Sequence, residues 1–300
     1  MEAATYKKQV ELLLKVLPEV AKESCFALHG GTAINLFIRD MPRLSVDIDL
    51  TYVPIEDRST SLDKIEAALR RIKERTVLVV AKARVTAPSE KGKLYISSQG
   101  VAIKLEVNLV GRGTIVDPVR LPLCQKAQEE FDVFTDIPVI PMGQLYGGKI
   151  CAALDRQHPR DLFDVRYLLA NEGFSNEVKA GFLLALISHD RPIRELLQPN
   201  FQDQRSALRN QFGGMTDEEF TYEAYEETRM TLVETIRGGL SKEDIDFLLS
   251  VKNLAPKWSS YDFERFPAVR WKLKNLQDLK ENNPKKFREL YESLASLLER

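Results

Sequence analysis

Hydrophobic and polar residues follow two different patterns along the chain, and the change falls near residue 140. The first part contains short apolar or alternating runs, which are typical of strands, interrupted by runs with helical spacing. After Pro141, apolar residues recur with helical spacing in almost every segment, which predicts a helical second part. The predicted strands cover 25–28, 47–53, 77–85, 93–98 and 101–110, and the predicted helices of the first part cover 6–22, 33–38 and 61–75.

These patterns predict an α/β protein with two domains. Residues 1–140 would form a domain with a mixed sheet, and residues 141–300 would form a helical domain. A chain of 300 residues is long enough for two domains of ordinary size. Pro141 lies at the proposed boundary, where proline interrupts regular structure. Within the helical part, Asp217 and Ser241 are the expected helix caps.

The composition indicates a folded protein without membrane association. Hydrophobic residues make up 44% of the chain and charged residues 29%, which is the profile of a globular protein. No apolar run approaches the length of a membrane span, and no apolar leader follows Met1. Cys25, Cys124 and Cys151 lack any paired spacing, so we expect reduced thiols and a cytoplasmic protein.

The charges are distributed unevenly, although the net charge is only −1. Residues 251–300 carry 11 basic and 7 acidic side chains, whereas residues 201–250 carry 5 basic and 11 acidic ones. The basic segment 270–288 is either a solvated face or a surface that follows a nucleic-acid backbone. Arg39 and Arg43, on a loop of the first domain, have the same two interpretations.

Two aspartates, Asp47 and Asp49, lie in the predicted strand 47–53 with one apolar residue between them. Side chains two positions apart on a strand point to the same face, so these carboxylates would project together. A divalent cation removes the repulsion between them, and Mg²⁺ favours carboxylate and phosphate oxygens. Glu106 alternates with apolar residues in the strand 101–110, so it is the candidate third ligand from a neighbouring strand. We expect Mg²⁺ at this site, with Mn²⁺ as the alternative ion.

Gly30 and Gly31 lie between the first predicted strand and the helix that follows it. Glycines at such a position let the backbone approach a phosphate, and the helix N-terminus supplies N–H groups. Thr32 adds a hydroxyl. The order strand, GGT, helix, loop and DxD strand therefore predicts a triphosphate cradle that faces a metal site.

This arrangement resembles the nucleotidyltransferase superfamily of the DNA polymerase β type. A second motif follows at 146–165, YGGKICAALDRQHPRDLFDV, which contains Lys149, Arg160 and Asp161. Together with GGTAINLF and PRLSVDIDLTY, this motif resembles the AbiEii nucleotidyltransferase family, the toxin halves of type IV toxin–antitoxin systems. The motifs cover roughly residues 25–170.

The resemblance implies a polymerase β-type nucleotidyltransferase domain, with the helical domain completing an active-site cleft. It also implies specific roles for individual residues. Asp161 would be the late essential acidic residue, with Asp164 as the competing candidate, because both follow Lys149 at helical spacing. The implied catalytic set is Asp47, Asp49, Glu106, Lys149 and Asp161; the implied metal ligands are Asp47, Asp49 and Glu106; and the implied nucleotide contacts are Gly30, Gly31, Thr32, Lys149 and Arg160.

The activity that the resemblance implies is transfer of a nucleoside monophosphate from an NTP to an acceptor hydroxyl. The acceptor would be the 3′ end of tRNA or another RNA, the outcome would be blocked translation, and a separately encoded antitoxin would restrain the enzyme. One alternative is transfer to a protein hydroxyl. Another is a non-catalytic nucleotide-binding or antitoxin-type module, which has no need to retain three carboxylates.

Overall fold

The structure is a computed structural model that describes residues 2–299. The chain divides into two compact units. The first contains the chain up to Pro141 together with Ser206–Glu219, and the second contains Met142–Arg205 together with the chain from Phe220 onward. The sequence pattern assigns Ser206–Glu219 to the helical half. In the structure, the Leu44 amide donates to the Met215 carbonyl, with 2.6 Å between N and O, and thereby ties this segment to the first unit.

Within residues 2–299, the first unit contains a seven-stranded mixed sheet with the strand order β3-β4-β5-β2-β1-β7-β6. The pairs β2–β5 and β1–β7 are parallel, and the other neighbours are antiparallel. The strands are β1 (Phe26–His29), β2 (Asp47–Tyr52), β3 (Arg84–Thr86), β4 (Lys93–Ser98), β5 (Val101–Asn108), β6 (Val119–Pro122) and β7 (Asp136–Val139).

The two faces of β2 and β5 differ in polarity, because side chains alternate along a strand. Ile48 and Leu105 are buried on one face, whereas Asp49 and Glu106 are half-buried on the other. Helix α1 (Glu2–Val20) packs against β5. The sheet therefore buries its apolar face and leaves a polar face for chemistry.

Strands β4 and β5 form an antiparallel hairpin, and both lie close to the ranges predicted from the sequence. Gln99 and Gly100 make the turn, and both have positive φ, 49° and 84°. A two-residue turn with positive φ at both positions matches the twist of the strands that it joins. The hairpin fixes the β4–β5 register, in which Lys93 lies opposite Glu106.

The predicted strand at 77–85 is wrong for most of its length. Helix α3 (Arg58–Val79) continues through Val77 and Leu78, and only Arg84–Thr86 forms a strand. Val80 N still donates to Thr76 O at 3.0 Å, so the helical hydrogen bonds extend into this β-branched run. Strand propensity is a weak preference, and a cooperative helix already in progress overrides it here.

Three further helical segments belong to the first unit. Helix α2 (Gly30–Ala33) follows β1 directly and continues as a π-helical turn over Ile34–Ile38. Helix α4 (Gln125–Phe131) lies between β6 and β7. The third segment is the π-helical turn Leu208–Phe212, which continues the short helix α9 (Arg205–Ala207), whose first residue still belongs to the second unit.

The second unit is helical in the residues that the structure describes. Ser241 caps the helix Lys242–Lys252 through a capping box with Asp244. The expected cap Asp217 lies outside any helix, because the nearest helix, Tyr222–Gly239, begins later with Thr221 as its cap. The helices are α5 (Met142–Arg156), α6 (Pro159–Ala170), α7 (Asn176–Ser188), α8 (Ile193–Leu197), α10 (Tyr222–Gly239), α11 (Lys242–Lys252), α12 (Pro267–Asn282) and α13 (Pro284–Leu298). Among the described residues, no helix combines the length and apolarity that crossing a membrane requires.

Helices α5 and α7 pack at unusually short range. A Cβ atom added to Gly147 would lie 2.1 Å from the Gly181 carbonyl carbon, so side chains are excluded at this crossing. Small residues at a helix crossing allow the backbones to approach each other closely. The glycine of the YGGK motif therefore fixes the position of α5, the helix that carries Lys149.

Candidate active site

A row of polar side chains crosses four neighbouring strands of the sheet. Lys93 on β4 lies opposite Glu106 on β5, Glu106 lies opposite Asp49 on β2, and Asp49 lies opposite His29 on β1. Asp47 lies on the same face of β2, two residues before Asp49, and it is paired with Lys104 on β5. The structure therefore brings Asp47, Asp49 and Glu106 to one face of the sheet.

Open space lies in front of this row. A pocket of about 370 Å³ is lined by side chains that include His29, Asp49, Lys93 and Glu106. In the described part of the chain, no hydrogen bond or ion pair engages the Asp49 side chain. The Asp49 carboxylate therefore faces a space in which a ligand can reach it.

Gly30 lies directly against the Asp49 carboxylate. Its φ is +73°, and a Cβ atom at this position would be 2.5 Å from Asp49 Oδ2. Only glycine meets both conditions, because other residues adopt positive φ at a cost and carry the clashing atom. A Cβ at Gly31 would be 2.7 Å from Arg43 Nη2. The two glycines thus bring backbone, carboxylate and guanidinium into one small region.

Thr32 is fully buried. Its hydroxyl donates to the Asp47 carbonyl oxygen, with 2.5 Å between the oxygens, and lies 3.0 Å from Ser45 Oγ. The phosphate contact that the resemblance implies for this hydroxyl stays a prediction, and it would require the buried side chain to become exposed to the nucleotide. Thr32 instead ties α2 to the start of the aspartate strand.

Glu106 occupies the expected strand and face, but lysines engage its carboxylate. Lys104 Nζ lies 2.7 Å from Oε2, and Lys93 Nζ lies 3.2 Å from Oε1. Burial raises the pKa of Glu106, but the hydrogen bonds from both lysines outweigh burial and hold this pKa below its usual value.

The side chains available as ligands determine which residues fit a metal ion. Within residues 2–299, no three acidic, histidine or cysteine side chains gather closely enough to hold one. Asp47 and Asp49 fit a divalent ion by their chemistry and by their shared face, whereas Glu106 does not fit while both lysines hold it. The three-carboxylate site of Asp47, Asp49 and Glu106 stays a prediction, in which Glu106 would have to leave its lysine partners to reach a metal ion.

Lys149 lies in a buried ion cluster of the second unit. Its Nζ is 2.9 Å from Asp161 Oδ1 and 3.0 Å from Asp164 Oδ2, and only 7% of the side chain is exposed. Arg156 Nε adds a contact of 2.5 Å to Asp161 Oδ2. Lys149 therefore contacts both candidates for the late acidic residue. Because its side chain is almost fully buried, it offers little surface to a nucleotide phosphate in this structure.

The charge of Asp161 is stabilised by its neighbours. Burial alone would raise its pKa, but the positive charges of Lys149 and Arg156 outweigh burial and hold the pKa far below its usual range. Arg160, the implied nucleotide contact, is half-buried in the first turn of α6. Its backbone amide donates to His158 Nδ1 at 3.1 Å, so His158 is the cap of this helix.

Several polar residues have different surroundings from those that the sequence suggests. Arg43 is buried and donates to the Leu44 carbonyl, so it does not form a solvated face. Lys272 of the basic segment donates to the carbonyl oxygens of His189 and Asp190 beyond the end of α7. Lys272 is therefore a structural cap and is not available as a surface charge for nucleic acid.

Lys93 is the residue of this site that sequence reasoning missed. Its place beside Glu106 depends on the hairpin register, which the composition of the strand does not reveal. Lys104 does carry a signal, because it lies two positions before Glu106 on the same predicted strand face.

The fold is similar to that of a known toxin. The nucleotidyltransferase toxin MenT4 from Mycobacterium tuberculosis H37Rv superposes with a TM-score of 0.58 over 98% of this chain and 93% of its own. The two sequences are 15% identical, so this likeness concerns the fold alone. Comparison with curated protein sequences gives no significant match.

A family model gives the more specific result. The model described as nucleotidyl transferase AbiEii toxin of type IV toxin–antitoxin systems matches residues 11–275. That range includes the glycine loop, the aspartate strand and the helices that carry Lys149 and Asp161. The chain therefore belongs to the AbiEii family of nucleotidyltransferase toxins.

Proposed function

We propose that this chain transfers a nucleoside monophosphate from an NTP to the 3′-terminal hydroxyl of an RNA, with tRNA as the acceptor, and releases pyrophosphate. Membership of the family implies a nucleotidyltransferase with an NTP substrate and an antitoxin partner. The acceptor and the metal ion are the parts that we add. The observation that carries the proposal is the contact between Gly30 and the Asp49 carboxylate at the edge of an open pocket.

Asp47 and Asp49 would hold the divalent ion that enzymes of this family generally use. We propose Mg²⁺, with Mn²⁺ as the alternative. When bound, such an ion stabilises negative charge that develops on phosphate oxygens. The aspartates need no large movement to accept it, because β2 already holds both on one face and the Thr32 hydroxyl fixes the strand at Asp47.

The triphosphate would lie along the glycine loop. Gly30 and Gly31 expose backbone where side chains would block the approach, and the guanidinium of Arg43 lies beside Gly31. A nucleotide held there reaches the aspartates directly, because Gly30 touches the Asp49 carboxylate. Orientation of this kind contributes to catalysis by holding reacting groups at short distance.

Lys149 and Asp161 would act as a coupled pair that positions the motif of the second unit. Their mutual ion pair is buried, so removal of either residue leaves a buried charge on the other. We propose that Asp161 and Asp164 both serve Lys149 and that Asp161 is the more important, because Arg156 also contacts it. Arg160, in the half-buried first turn of α6, would contact the nucleotide through its positive charge.

Labelling identifies the acceptor. The protein is incubated with each α-labelled NTP, Mg²⁺ or Mn²⁺, total RNA and a protein extract, and the labelled macromolecule is identified. We expect label on RNA with the wild type. Asp49→Asn should reduce labelling by at least about a hundredfold, because loss of one preorganised charged group typically costs that much. Asp63→Asn, on the exposed face of α3, is the matched control and should behave like the wild type.

Two results would contradict the proposal. Label on protein in place of RNA would identify a protein hydroxyl as the acceptor. Near-normal labelling by a folded Asp49→Asn variant would exclude the aspartate strand from the active site.

A further inference from the structure

We infer that Lys93 and Lys104 bind a backbone phosphate of the acceptor RNA, on the side of the aspartates opposite to the glycine loop. The inference rests on the proposed function, since it assumes that the NTP occupies the glycine loop. It assigns a substrate contact to two lysines that belong to neither of the two sequence motifs.

The order of the strands gives the direction of approach. Lys93 and Lys104 lie on β4 and β5, the aspartates lie on β2, and the glycine loop follows β1. The aspartates therefore separate the lysines from Gly30. An NTP at the glycine loop leaves the lysine side open, and the second substrate of the reaction has to reach the aspartates from there.

The charges on that side are unbalanced. Two ammonium groups share the single carboxylate of Glu106, at 2.7 Å from Lys104 and 3.2 Å from Lys93. Lys93 also contacts Glu90, whose side chain is 69% exposed. An exposed pair of this kind contributes little, because water and salt screen it. Asp47 and Asp49 add two negative charges beside Lys104 and Glu106, and the divalent ion of the proposed function would neutralise them. With that ion bound, the two lysines exceed the single charge of Glu106, and the surroundings of Glu106 retain positive charge that a bound anion can neutralise.

The lysines are also held in place before any ligand arrives. The side chain of Lys93 is 18% exposed and that of Lys104 is 34% exposed, so their stems are packed while Glu106 orients the ammonium groups. Ammonium groups donate charge-assisted hydrogen bonds to phosphate oxygens. A phosphodiester offers two unesterified oxygens and one negative charge, and it accompanies a 3′-terminal nucleotide of RNA but not the hydroxyl of a protein side chain.

The chain supplies a matched control at Lys91. Lys91 lines the same pocket, but it pairs with Glu66 at 2.8 Å and its side chain is 58% exposed. Lys91→Gln thus removes one positive charge from the pocket that Lys93 lines, without touching Glu106. Lys93→Gln and Lys104→Gln are the test variants, and Lys93→Arg retains the charge. Thermal unfolding of each variant establishes that it is folded.

Two measurements test the inference on the full-length protein. One is the binding of a short 5′-fluorescent oligoribonucleotide with a free 3′ hydroxyl over a range of salt concentrations. The other is the KM for NTP and for bulk tRNA. We expect Lys93→Gln and Lys104→Gln each to weaken RNA binding about tenfold and to reduce the salt slope by about 1. The KM for NTP should stay unchanged, and Lys93→Arg and Lys91→Gln should resemble the wild type.

Either of two results would overturn the inference. Unchanged RNA affinity and salt slope in folded Lys93→Gln and Lys104→Gln variants would show that the lysines do not contact RNA. A rise in the KM for NTP without a change for RNA would assign them to the nucleotide. Oligoribonucleotide binding requires no turnover, so a wild type that labels no RNA would contradict the proposed function while the lysine test still gives its answer.

Discussion

Gly30 and Asp49 constrain each other at the level of single atoms. The carboxylate oxygen of Asp49 occupies the space that any side chain at position 30 would need, and the positive φ of Gly30 brings the backbone to that place. The same contact leaves the Asp49 carboxylate at the edge of the pocket. A catalytic carboxylate has to be held within a fraction of an ångström. If Asp49 acts as proposed, Gly30 therefore matters because it allows this close contact, and not only because its backbone adopts positive φ.

The Gly30→Ala variant distinguishes the effect of the contact with Asp49 on activity from the effect of backbone strain on stability. We expect the free energy of unfolding to fall by about 1–2 kcal/mol, the cost of a left-handed alanine. We also expect nucleotidyl transfer to fall by about a hundredfold, because a shift of about 1 Å in a reacting group can cost that much. Urea unfolding and the labelling assay measure the two effects.

Gly173→Ala is the control, since Gly173 has a φ of +65° and no atom within 4 Å of the added Cβ. It should lose similar stability and keep full activity. Equal activity of the two variants would show that the contact with Asp49 has no catalytic importance.

At the scale of secondary-structure elements, a period of two residues assigns Asp47 and Asp49 to one face of their strand and predicts Glu106 on the polar face of another strand. That these two strands are neighbours follows only from the β2–β5 pairing of the structure. The partners of Glu106 were not accessible in the same way. Lys93 reaches it through a hairpin register, and the end of α3 depends on cooperative helix growth that strand propensity does not describe.

The second motif likewise combines a feature that local sequence spacing predicts with a contact that depends on tertiary structure. Helical spacing placed Lys149 on α5, but its contact with Asp161 joins two helices, and no local pattern specifies such a contact. Helix packing at Gly147 then determines how deeply Lys149 is buried. The sequence thus identified the residues of the motif, whereas their burial followed only from tertiary structure.

Lys149→Met tests the buried cluster that joins α5 to α6. Removal of the cation leaves Asp161 and Asp164 buried without it, so we expect a loss of about 3–5 kcal/mol in the free energy of unfolding at neutral pH. Lys285→Met, in an exposed pair whose lysine is 88% exposed, should change stability by less than about 1 kcal/mol. Similar stability of the two variants would contradict a stabilising role for the cluster.

The same variant has a pH dependence of known sign. The pKa of Asp161 in the folded protein lies below its ordinary value of 3.8. As the pH falls below about 4, the unfolded chain binds a proton that the folded protein does not, so wild-type stability declines. Without Lys149, only Arg156 still opposes the effect of burial on the pKa of Asp161, so this pKa rises and the variant loses less stability on acidification. The stability difference between wild type and Lys149→Met should therefore shrink from neutral pH to acid, as urea titrations at each pH would measure.

At the scale of the whole molecule, membership of a toxin family makes growth the natural measure of activity. The aspartate strand and the glycine loop belong to the first unit, and the Lys149 motif belongs to the second. Both lie within the range that the family model matches. Toxicity should therefore depend on residues of each unit, provided that the variants remain folded.

Controlled expression of the wild type should arrest bacterial growth, and Asp47→Ala should relieve the arrest at equal protein level. Asp47 is a half-buried residue on the polar face of the sheet, so its truncation removes a proposed metal ligand with little loss of packing. Asp63→Ala should remain as toxic as the wild type. Undiminished arrest by soluble Asp47→Ala would indicate a toxic mechanism other than nucleotidyl transfer.

Ser206–Glu219 belongs to the first unit although it follows several helices of the second unit in the chain. This order affects when the first unit can be completed during synthesis. Leu44 finds its backbone partner in Met215, and Pro42 accepts a hydrogen bond from the hydroxyl of Thr216. These partners leave the ribosome long after the sheet has been synthesised, so the loop that carries Arg43 is completed only when most of the chain is already translated. A cell that produces this toxin thus has an interval during synthesis in which the sheet exists and the glycine loop still lacks its full support.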